Sequence, residues 1–101
     1  IAEKVVARAE DSVAQAQHEV EAASQSLQQS ITKLNILNAK LKSADDTGVT
    51  QAQDVDAVHA QAAVVAKATN AVTVAQQNLE WAVANRSRLS EVAVMSGESA
   101  A

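Results

Sequence analysis

Small or apolar residues return in alternating steps of four and three through the first half of the chain: Ala2, Val6, Ala9, Val13, Ala16, Val20, Ala23, Leu27, Ser30, Leu34, Leu37, Leu41 and Ala44. A position that repeats every seven residues stays on one stripe of an α-helix only when the helix winds gently around a partner. The pattern therefore predicts a left-handed coiled coil, because the stripe of an ordinary surface helix drifts away from such a repeat. At about 1.5 Å per residue the first helix would reach about 60 Å. A second stripe of the same kind runs through Val58, Gln61, Val65, Ala68, Val72, Ala75, Leu79, Ala82, Arg86, Leu89 and Ala93.

Between the stripes stand Asp45, Asp46, Thr47 and Gly48, a cluster of turn formers that includes a glycine able to end a helix in the left-handed conformation. Thr50 and Gln53 follow with the spacing of a capping box, in which hydroxyl and amide would each satisfy a free backbone N–H. The expected fold is all-α, an antiparallel two-helix coiled-coil hairpin forming a single unit. Arm one covers about 2–44, the turn 45–49 and arm two about 50–94. The tail 95–101 has no stripe and is expected to fray.

A short link makes the arms antiparallel, so facing residues have numbers adding to about 95. In that register Leu27 faces Ala68, Ala23 faces Val72, Val20 faces Ala75, Ala16 faces Leu79, Val13 faces Ala82 and Ser30 faces Val65, so that large meets small. Charges agree with it too. Lys4 falls opposite Glu91, Glu10 and Asp11 opposite Arg88 and Arg86, and Lys40 and Lys42 opposite Asp56 and Asp54. Exposed pairs contribute at most about 1 kcal/mol each, so their role is to select orientation.

Composition supports a thin molecule. The chain has no Cys, Pro, Phe or Tyr and a single Trp, and its apolar residues are mostly Ala and Val. Such residues fill a narrow seam better than a wide interior. A net charge of −4 offers no basic footprint for nucleic acid. The absence of Cys excludes disulfides and thiolate-held zinc. The run Ala62–Ala66 is far short of the roughly 20 apolar residues of a membrane span. A start at Ile1 is compatible with a processed chain or a piece of a longer one.

Neither a catalytic, a cofactor nor a metal site can be assembled. His18 and His59 fall at different levels of the hairpin and read as solvated side chains. Asp45, Asp46, Asp54 and Asp56 lack the alternating ligands and closing Glu of a calcium loop, and serve helix ends and Lys40 and Lys42 more simply. No nucleophile with base and acid, and no phosphate-cradling loop, is present, so the chain is not expected to be an enzyme. Trp81, one position before the stripe residue Ala82, is expected to cover the seam edge; outward display to a partner is the other reading.

The stretch from Leu41 to Ala57, with Gly48, Val49, Thr50, a Gln-rich first turn and Asp56, resembles the hairpin tip of the membrane fusion proteins, or periplasmic adaptors. Val72 to Ala82, with Asn78 and Leu79, is similar to the end of the same family's second arm, and the Ala- and Gln-rich first arm fits as well. The resemblance implies a coiled-coil hairpin serving bacterial export or efflux, in the periplasm or secreted. Neighbouring hairpins would pack side by side as a homo-oligomer, and Leu41, Val49 and Thr50 would dock onto an outer-membrane channel. A receptor-binding or translocation hairpin of a secreted toxin or bacteriocin is the alternative. A lipid-surface binder is a weaker one, because the stripe is narrow and flanked by acids as often as by bases.

Overall fold

The computed structural model describes residues 2–95; the tail 96–101 and the side chain of Ala2 lie outside the described residues. Two helices account for almost all of them: α1, Ala2–Asp46, and α2, Ala52–Met95. They form an all-α helical hairpin. Met95, assigned to the tail by the stripe, still belongs to α2. Arm one runs two residues further than its stripe and arm two starts two residues later, which places the link at 47–51.

The absence of proline lets both helices run without interruption, and Ala, Gln, Leu and Lys lose little on entering a helix. Glu3 and Asp54 stand in the first turns, where a carboxylate complements the helix dipole. Some hydroxyls on the arms bond within their own helix: Ser12 donates to the Arg8 carbonyl at 3.0 Å and Thr32 to that of Gln28 at 2.9 Å.

The described residues divide into two compact units. One unit contains 2–22 and 73–95. Its interior consists of Val6, Ala9, Val13 and Ala16 from α1 and Ala75, Ala82 and Ala93 from α2. Val13, Ala16 and Ala82 make one buried cluster, with Leu79 and Val83 packed against it. That grouping is what a register near 95 requires here, since it brings Val13 to Ala82 and Ala16 to Leu79. Arg88 donates to Asn85 Oδ1 at 2.8 Å, along its own helix, where the sequence places it opposite Glu10.

The other unit contains 23–72. Ala23, Leu27, Ser30, Leu34, Leu37 and Leu41 of α1 are half-buried, as are Val58, Val65, Ala68 and Val72 of α2. Gln61 is the buried polar residue of this seam. Its Nε2 donates to the Ser30 carbonyl oxygen at 2.9 Å, so the amide enters the layer already paired. A single polar residue at a seam position selects register, because any slip leaves its donor without an acceptor in a dry environment.

No large side chain among the described residues is fully buried. Each Val therefore contributes at most about 2 kcal/mol, and the hairpin depends on many modest layers. Val13→Asp should lower stability by about 3 kcal/mol, because a charge would enter the cluster with no partner, whereas exposed Gln28→Asp should cost under about 0.5 kcal/mol. Thermal unfolding followed by circular dichroism measures both. For Gln61→Leu the expectation is a higher melting temperature together with a broader distance distribution between spin labels at Gln29 and Val64, since stability rises as register is released.

Candidate functional site: the hairpin tip

The tip belongs to the 23–72 unit, and its form begins with an electrostatic problem. Asp45 and Asp46 close α1, where the dipole is negative, and the last turn carries no basic residue. Backbone bonding ends the helix instead. Gly48 takes φ +72, its N–H donates to the Asp45 carbonyl at 3.0 Å, and the Val49 N–H reaches the Ala44 carbonyl at 2.9 Å. These are the two bonds of a Schellman motif, which consumes the free carbonyls at a helix end. The Thr47 hydroxyl adds a bond to the Ala44 carbonyl at 3.0 Å.

The second helix starts differently from the sequence expectation. The N–H groups of Asp54 and Val55 donate to the Gln51 carbonyl at 3.0 and 3.4 Å, which makes Gln51 the N-cap. Thr50 therefore lies one position outside the helix, and the Thr50–Gln53 capping box does not form. The Thr50 hydroxyl donates to the Asp45 carboxylate, tying the start of arm two to the end of arm one. Gln53 Nε2 donates to Gln51 Oε1 at 2.8 Å.

The residues singled out by sequence fall into different environments. Leu41 is half-buried and completes the α1 stripe, so its side chain already belongs to the seam. Val49 is 59% exposed at the apex, on the backbone that the Schellman bonds fix. Thr50 is exposed and engaged with Asp45. Trp81 is in the other unit and is 66% exposed, standing outward rather than closing the seam edge. His18 and His59 are exposed.

Sequence reasoning missed the side chains that surround Val49. Lys40, Ser43 and Thr47 from the end of arm one, with Gln51 and Gln53 from the start of arm two, border an open crevice beside it. The signal was available in the spacing, because Lys40 and Ser43 stand one position before the stripe residues Leu41 and Ala44. The crevice pairs an apolar apex with donors and acceptors on its walls, which suits a protein surface better than a small molecule. Among the described residues no group of three His, Cys, Asp or Glu side chains could hold a metal, and no helix is long and apolar enough to cross a membrane.

The chain matches no protein-family model, no curated protein and no solved structure.

Gly48 offers a direct check of the tip. A Cβ there meets nothing within 4 Å, so any cost of adding one comes from the backbone conformation alone. Gly48→Ala should lower stability by about 1 kcal/mol, and Gly48→Asn by clearly less, because asparagine tolerates the left-handed region. Chemical denaturation midpoints of the two variants compare the costs.

Proposed function

We propose that this chain is a docking hairpin of a bacterial export or efflux adaptor, which captures an outer-membrane channel through its tip and performs no chemistry. The observation that carries the reading is Val49, an apolar side chain left 59% exposed on a turn whose backbone is fixed by the Gly48 and Val49 hydrogen bonds. An apolar group held in place before binding loses little conformational freedom when a partner covers it, so its burial contributes to affinity almost in full. Thr50, tied to Asp45, and the amides of Gln51 and Gln53 supply the polar rim such a contact needs.

Leu41 has a supporting part in this scheme. From its half-buried place on the stripe it packs the base of the tip, and Val49 makes the contact. The resemblance of the stretch from Leu41 to Ala57 to adaptor tips supplies the export context, and with it a periplasmic or secreted location and neighbouring hairpins at the arms.

Val49→Asp in the full-length protein should reduce capture of the channel, or export itself, by at least about tenfold, because a carboxylate cannot be buried against the partner without a large desolvation cost. Helicity should not change, since the bonds that shape the turn are main-chain bonds. Val49→Leu should retain capture. Undiminished capture by Val49→Asp, with helicity intact, would remove the tip from the binding surface.

A further inference from the structure

Three of the exposed apolar residues of the 2–22 and 73–95 unit hold equivalent places beside the seam. Val74, Trp81 and Val92 each stand one position before a buried stripe residue, respectively Ala75, Ala82 and Ala93. Trp81 follows Val74 by seven residues and Val92 follows Trp81 by eleven, two or three helical turns each, so all three stand on the flank of α2 beside the seam. On α1 the corresponding flank carries Gln15 and Glu19. These join Asn78 and Trp81 to wall a groove floored by Ala16 and Ala82, which shows that both flanks share one face.

Charge on that face is divided by Trp81. Glu19 stands one position before Val20 and falls towards the Val74 end in the register near 95. Arg8 and Arg88, one position before Ala9 and Leu89, fall towards the Val92 end. A twofold axis lying in the face and running across the helices near Trp81 would lay Glu19 of one copy over Arg8 of the other, with Arg88 beside it, and bring Val74 close to Val92. The face is thus complementary to itself when turned end for end, the property an isologous contact requires. Tryptophan and arginine are also the side chains most enriched at the centres of interfaces.

We propose that two copies of this chain associate face to face and antiparallel through this unit, with Trp81 at the centre and Glu19 paired to Arg8 and Arg88 across the twofold. The pairing does not rest on the role of the tip, whose residues belong to the other unit.

Sedimentation equilibrium of the full chain over about 1–200 µM, with Trp81 emission recorded alongside, tests the proposal over the micromolar range in which modest interfaces associate. The expected result is a monomer–dimer equilibrium in which emission shifts to shorter wavelength as dimer forms. Trp81→Gln should remain monomeric, Glu19→Arg should weaken association by about tenfold or more, and adding Arg8→Glu with Arg88→Glu to Glu19→Arg should restore it. Val49→Asp should dimerise like the unaltered chain, which separates this surface from the tip. Monomers throughout the range, association undiminished in Trp81→Gln, failure of the triple charge reversal to restore binding while helicity is intact, or a Trp81 emission shift produced only by anionic lipid vesicles would each overturn it.

Discussion

Two helices can approach closely where one of each facing pair of side chains is small, and the 2–22 and 73–95 unit is built on that steric rule. Val13 and Ala16 meet Ala82 with Leu79 and Val83 alongside, so that in this cluster valine and leucine have alanine near them. Such layers bury little area individually, and no single one dominates. Their strength is in the number that must be given up together when the register slips.

Because the seam is narrow, whatever it leaves uncovered is determined by position relative to it. One step before the seam on α2 lie Val74, Trp81 and Val92, exposed in a row. At the turn, the last seam positions, Leu41 and Ala44, stop just short of Gly48, and Val49 projects beyond them. The two surfaces proposed for recognition are therefore by-products of the same heptad pattern that folds the chain.

The stripes were legible in the sequence because periodicity depends only on which residues repeat. Each described stripe position, from Val6 to Ala44 and from Val58 to Ala93, is buried or half-buried. The helix ends were harder to read. Their placement depends on which backbone groups find partners, and the Schellman bonds carried α1 on to Asp46 while the Gln51 carbonyl held α2 back to Ala52. Thr50 was misread for the same reason, since a hydroxyl one position outside the helix can turn to Asp45 instead. Trp81 was expected at the seam edge from its spacing alone, but an indole needs a broad apolar neighbour to cover it, and its groove is floored by Ala16 and Ala82 and walled by polar side chains. The tip crevice was overlooked because its walls come from both sides of the turn.

The register is the claim on which the seam of the 2–22 and 73–95 unit and its Trp81 face depend, and the absence of cysteine makes it directly measurable. Introducing Val13→Cys with Ala82→Cys and oxidising under dilute conditions should close a disulfide within one molecule in nearly every chain, because the two positions share one buried cluster and a disulfide demands Cα atoms within about 7 Å. A pair displaced by one heptad, Val13→Cys with Leu89→Cys, should fail to close within a molecule. Equal or preferential closure of the displaced pair would contradict the register, and with it the position of Trp81 beside the seam.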